Sequence, residues 1–215
     1  MQSLFYHLFK IVLLLVLPFI FLIRGAVYFH DHHLMSPWMA IAGGIGITTI
    51  LLFLYLTFLS GRFTGKLGSS GTLKRRSVMA LILVLGYSIY GLVFLSGSNV
   101  KSEEIQKEYT SLHPILRLSI STILFLDKDL LLTDAKRRPE DYKKMGLKTK
   151  KRSLHYPQSN GYVHAMDIRT NGRSEIRNFL LKTYFQLMGF NVLRHGGTGD
   201  HLHVSLKSFD SPGAI

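Results

Sequence analysis

Cysteine is absent from this 215-residue chain. That excludes disulfides and thiolate metal sites, and leaves imidazole and carboxylate as the groups able to hold a metal ion. Acids are scarce as well: 13 Asp and Glu face 26 Lys and Arg, giving a net charge of +13 with histidine neutral. A single acid, Asp31, precedes residue 101, against seven Lys and Arg, whereas residues 101–215 hold twelve acids and nineteen Lys and Arg. One average composition describes neither part, and each needs its own reading. The cations of the second part are scattered and belong to no nucleic-acid motif, so no nucleic-acid partner is expected.

What the first hundred residues have instead is long uncharged runs. Residues 38–59 and 78–96 contain no charged side chain, and about 20 such residues are what a helix needs to cross hydrocarbon. A third span, at about residues 5–23, is less clean: His7 and Lys10 precede the apolar run, Pro18 interrupts it and Arg24 closes it. A cleaved signal peptide is the alternative there, but no small-residue cleavage site follows. Between the second and third spans stand Arg62, Lys66, Lys74, Arg75 and Arg76 without an acid, while residues 24–37 carry one Arg and one Asp. Cations near span ends stay on the cytoplasmic side. The expected topology in a cytoplasmic (inner) membrane therefore has the N-terminus inside and everything after Val100 in the periplasm or extracytoplasmic space. His30, Asp31, His32 and His33 are expected in a solvated loop near the headgroups, since adjacent residues rarely converge on one ion.

Residues 101–215 read as a separate α+β domain, a small antiparallel sheet with flanking helices after the all-α membrane region 1–100. A polar connector over 101–109 leads to a helix over 112–126, with Pro114 tolerated in its first turn. Arg117 and Asp127 leave nine uncharged residues between them, too few to cross a bilayer, so this is a core helix. A strand is expected over 129–135, then a short helix opened by Pro139 and ending near Gly146. The run 148–152 carries four cations and reads as a solvated or phosphate-facing loop. A further helix spans 174–188, capped by Ser174 and Gly189, with Ile176, Phe179, Leu180, Thr183, Tyr184, Leu187 and Met188 on one face. Residues 190–194 and 201–206 alternate as a hairpin joined through Gly196, Gly197, Thr198 and Gly199.

In the last strand His201, His203 and Ser205 share one side, opposite Leu202, Val204 and Leu206, which brings two imidazoles about 6.6 Å apart onto a polar face. Upstream, Ser153, Leu154, His155 and Tyr156 are followed by Gly161 and by the stretch His164, Ala165, Met166, Asp167, Ile168. These segments resemble the SxHxxGxAxD signature of zinc D-Ala-D-Ala carboxypeptidases. "SLHY" with "AMDI" is similar to the same site in the hedgehog signalling domain, and "HLHVSLK" to the last metal segment of that domain and of penicillin-insensitive murein endopeptidases. The resemblance covers about residues 112–207 and says nothing of the membrane region.

Carried over residue by residue, it implies zinc on His155, Asp167 and His203 with a fourth position left for water. It places Asp200 where the peptidases have a Glu as base, one methylene shorter. His201 is then a transition-state donor or a group orienting the water. "TDAKRRPEDY" resembles the segment whose Arg stabilises the developing oxyanion, which matches Arg137, with Arg138 as the neighbouring choice. A structural salt bridge to Glu140 or Asp141 is the alternative for either. The departure is the eleven residues between His155 and Asp167, longer than the family's spacing. His164 does not replace His155, because residues three apart in a strand face opposite ways; it is expected in the substrate groove or on the outer surface, and His113 and His195 as structural or solvated. The function implied is a membrane-anchored zinc peptidase acting on peptidoglycan peptides, with a non-catalytic zinc-stabilised binding module of the hedgehog type as the alternative. The excess of cations in residues 101–215 suits anionic wall polymers or lipid headgroups.

Overall fold

The computed structural model describes residues 2–144, 146, 148–149, 152–197 and 199–214. Three helices are long and apolar enough to cross a membrane: α1 (Gln2–His33), α2 (Pro37–Thr64) and α3 (Ser70–Val93). They pack as an up-down-up bundle in which α2 approaches α1 closely. A Cβ on Gly44 would sit 2.4 Å from the carbonyl oxygen of Leu22, so only glycine allows this crossing.

Helix α1 is longer than its apolar run. Nothing between Arg24 and His33 breaks it; Leu34, in a left-handed conformation (φ 53°), and Pro37 at the first turn of α2 end it. Its 32 residues span about 48 Å, more than the roughly 30 Å of hydrocarbon, and its last turns run beside the first turns of α2, with Phe29 packed on Gly43. This corrects the expected solvated loop. His30 is 2 % exposed, its ring lies 4.9 Å from that of His113 and 5.8 Å from that of His164, and its Nε2 is 3.2 Å from the Lys207 carbonyl.

After the short α4 (Glu103–Glu108), α5 (Pro114–Leu124) follows. Every residue from 114 to 123 is buried, because this helix is wedged between the spans and the rest of the chain. Arg117 donates to the Leu92 carbonyl at 2.7 Å, Tyr109 to the Gly91 carbonyl at 2.8 Å, and Tyr87 and Thr122 share a hydrogen bond. Leu22 and Ile23 of α1, Val84 and Leu92 of α3 and Ile115 and Leu116 of α5 belong to the same apolar cluster as Phe185, Leu202 and Val204. Composition changes at residue 100; the core runs across it.

The remaining elements are β1 (Leu132–Asp134), α6 (Pro139–Lys144), β2 (Ala165–Arg169), α7 (Glu175–Met188), β3 (Asn191–His195) and β4 (His201–Ser205). The strands form one antiparallel sheet in the order β1-β2-β4-β3. Ser174 caps α7 by accepting from the Arg177 amide, and Gly189 ends it at φ 99°. Lys150 and Lys151 of the basic run and Thr198 of the hairpin loop lie outside the described residues. Helix α7 buries Asn178, Leu181, Phe185 and Met188, which leaves Ile176, Phe179, Leu180 and Leu187 facing outward.

Candidate metal centre

Three separate segments converge at the middle of the sheet. Asp167 on β2 is the register partner of His203 on β4, so their side chains rise from the same face of adjacent strands. His155 comes from an irregular loop pinned to the β1–α6 turn: its carbonyl accepts from the Arg137 amide at 3.0 Å, and its Nδ1 donates to the Ala135 carbonyl at 2.7 Å. The long segment after His155 is absorbed by a local turn, in which Gln158 bonds the Ser153 and Tyr156 carbonyls and Gly161 takes φ 80°. The chain then returns, with the His164 amide donating to the Leu154 carbonyl at 2.9 Å.

Within the site, His155 Nε2 is 3.3 Å from His203 Nδ1 and 3.3 Å from Asp167 Oδ1, and His203 Nδ1 is 2.8 Å from the same oxygen. All three residues are buried, and together they can hold a metal ion. Ligands at about 2.0–2.1 Å around a tetrahedral ion stand about 3.3 Å apart, which two of the three separations match. The tautomer of His155 fits as well. A carbonyl only accepts, so His155 carries its proton on Nδ1 and turns the lone pair of Nε2 into the site, the usual way a backbone carbonyl orients a ligating imidazole. His203 Nε2 is buried without a hydrogen-bond partner among the described residues.

Burial opposes ionisation of Asp167, but His155, His203 and Arg137 outweigh it and hold the carboxyl well below the usual range. Arg137 reaches Asp167 Oδ2 through Nη2 and Asp134 Oδ2 through Nε at 2.6 Å. The alternative salt bridge to Glu140 or Asp141 is therefore replaced by one to Asp134 and Asp167; Arg138 meets Asp141 through its backbone amide at 2.7 Å. Burial lowers the guanidinium's proton affinity, and the two carboxylates more than restore it.

A cavity of about 650 Å³ opens beside the triad, lined by Asp134, Arg137, Asp167, Asp200 and His201, with Lys101 and Arg169 adding positive charge. His201 Nδ1 donates to the Gly199 carbonyl at 2.7 Å, so the lone pair of its neutral ring is on Nε2, 3.7 Å from Asp167 Oδ2. Asp200 is otherwise engaged. Both its oxygens accept from Arg194, at 3.1 and 2.7 Å, and Arg194 also clasps Glu175. The Arg194 hydrogen bonds hold the Asp200 carboxyl below the ordinary carboxylate range. The sequence reading missed this Glu175–Arg194–Asp200 bridge, as it missed the Ala135 carbonyl that orients His155.

His164 is neither in the groove nor on the outer surface, which corrects that expectation. It is 2 % exposed, because three residues before Asp167 it faces the opposite side of the sheet, and that side is covered by His30 and His113. Its Nδ1 donates to the Lys207 carbonyl at 3.1 Å and its Nε2 accepts from Asn160 at 2.9 Å. Burial pushes it down to about 4, and burial also lowers His113. The unfolded chain takes up this proton near pH 6.5 and the folded chain near 4, so stability is full above 6.5 and falls as pH drops toward 4. The loss assignable to His164 at pH 4.5 is about 2–3 kcal/mol. Thermal unfolding of His164→Gln in detergent at pH 7.5 and 4.5 should show a flatter pH dependence than the unaltered protein; an identical slope would refute the assignment. His113 is buried and caps α5, and His195 is exposed beside His201.

Comparison with protein-family models, with curated proteins and with solved structures returned no match for this chain.

Proposed function

We propose that this chain is a membrane-anchored zinc metallopeptidase that hydrolyses a peptide bond in peptidoglycan stems or cross-links, a D-Ala-D-Ala carboxypeptidase or murein endopeptidase by class. The observation that carries the reading is the buried convergence of His155, Asp167 and His203 at the three positions where the sequence resembles the zinc peptidase motifs. A donor set of two imidazoles and one carboxylate, with a cavity at its side, is the composition of an open catalytic zinc site. When bound, zinc supplies Lewis acidity toward a scissile carbonyl and activates water. The chain's own groups do the rest. His201 offers its Nε2 lone pair to a proton, Arg137 holds Asp167 by its outer oxygen while presenting positive charge to the cavity, and Lys101 and Arg169 attract an anionic peptide.

Membrane placement supports the substrate class. The cavity-bearing part sits where α1 and α3 end and α2 begins, through His30, the hydrogen bond of Trp38 to Tyr162 and the Arg117–Leu92 contact. The basic α2–α3 turn is at the opposite end of the bundle, which by the distribution of cations is the cytoplasmic one.

One observation favours the second reading, a zinc-stabilised binding module without turnover: the carboxylate at the base position is clasped by Arg194. Purified sacculi incubated with the full chain in lipid nanodiscs, with and without a chelator, separate the two. The peptidase releases fragments whose masses show hydrolysis and whose yield vanishes with chelator; metal-loaded protein that binds sacculi without releasing fragments is the module. The full chain is required because α5 is buried against the spans.

A further inference from the structure

Helix α7 carries an apolar stripe that nothing among the described residues covers. Ile176, Phe179, Leu180 and Leu187 are between 59 and 73 % exposed, and their spacing of three, four and eleven residues places them along one side. The opposite side packs inward through Leu181, Phe185 and Met188. A continuous apolar stripe on a helix of 14 residues marks a surface made for contact.

Both ends of α7 are held at the level where the spans end. At its N-terminal end, Arg173 and Arg177 pair with Asp127, which directly follows the outward-facing Phe125 and Leu126. The Phe125 ring lies 6.0 Å from the rings of Tyr87 and Tyr90 on α3. At its C-terminal end, Gly189 packs on Arg24 and Val27 of α1, closely enough that a Cβ would strike the Arg24 guanidinium. The two contacts stand at matching heights. Phe19 and Tyr87 touch; Arg24 lies about 7.5 Å further along α1, and Asp127 falls between Phe125, whose ring meets Tyr90 about 4.5 Å along α3 from Tyr87, and Lys128, whose carbonyl accepts from Asn99 just past the end of α3. A helix pinned at both ends to one level lies across the bundle axis, and the apolar surface of Phe125 and Leu126 runs into the surface of the spans.

We propose that α7 lies in the plane of the membrane interface with Ile176, Phe179, Leu180 and Leu187 seated among lipid acyl chains, so that the metal cavity is held at the bilayer surface. The occupant is lipid because the stripe continues a surface that the spans already present to the bilayer, and an exposed apolar face on a helix lying across the bundle axis is the form in which interfacial helices seat. Arg169, Asn171 and Gly172 line the cavity and immediately precede α7, so the mouth of the cavity lies close to the headgroups. This goes beyond the peptidase reading and rests on the spans alone.

The absence of cysteine allows single spin labels without background. Leu180→Cys and Leu187→Cys, both on the exposed stripe, are labelled in lipid vesicles alongside Leu54→Cys on α2 as a lipid reference and Lys148→Cys as a water reference. Collision with oxygen relative to a water-soluble nickel chelate is then measured. The Leu180 and Leu187 labels should match the Leu54 ratio and exceed the Lys148 ratio several-fold. Ratios equal to that of Lys148 would overturn the proposal, as would shielding from both reagents with dipolar broadening between labels, which would mean a second copy covers the stripe. A water-like Leu54 label would instead overturn the spans themselves, and the proposal with them; sacculus hydrolysis is unaffected by any of these outcomes.

Discussion

Asp167→Ala should lose its metal: the unaltered chain, loaded with zinc and dialysed against a weak chelator, retains about one ion per chain, and the variant retains almost none. Structural zinc sites bind with roughly 10–16 kcal/mol over four ligands, so one ligand contributes about 3–4 kcal/mol, or about 10²–10³ in affinity. Asp167 is the anionic member of the triad, and its removal also leaves the Arg137 guanidinium facing the two imidazoles with only Asp134 to balance it. Elemental analysis of dialysed protein gives the stoichiometry. A second readout follows from linkage, since an ion that binds the folded state raises its stability. Chelator should lower the melting temperature of the unaltered protein and leave that of Asp167→Ala where it is. Equal metal content in the two proteins would remove the triad as the metal site.

His201→Ala should cut hydrolysis by about 10²–10⁴, the usual worth of a general base, with metal content unchanged. The geometry distinguishes His201 from Asp200, the residue that matches the base position of the peptidases the sequence resembles. His201 has a lone pair 3.7 Å from a triad oxygen, whereas both Asp200 oxygens are already accepting from Arg194 and its carboxyl is a weaker base for it. Asp200→Asn is therefore expected to fall by less than His201→Ala in kcat. The reverse order would return the base to Asp200 and mean that Arg194 releases it when substrate enters.

Local chemistry explains what could be read before any coordinates. Pro114, Pro139, Ser174 and Gly189 each mark a helix end by a property of the residue itself, and uncharged length marks the spans. The triad was legible because its donor atoms belong to motifs of fixed residue type. Pairings set by distant register were not. Arg194 reaches Asp200 and Glu175 only because the β3–β4 hairpin and the start of α7 meet, and Arg137 pairs with Asp134 and Asp167 rather than with Glu140 or Asp141 because the β1–α6 turn aims it into the sheet. His30 looked like loop because the hydropathy of α1 stops at Arg24, while the backbone helix does not. The stripe on α7 was visible as a period, but periodicity says which residues lie together and not what they face.

Helix α5, buried from Pro114 to Ile123 between the bundle and the sheet, ties the C-terminal half to the spans through a shared core. A released C-terminal half would present the apolar residues that now meet α1 and α3 to water and would aggregate before it could act at a distance. For the peptidase proposed above, encounters with substrate would then be restricted to two dimensions, and its rate per cell would scale with membrane area rather than with compartment volume.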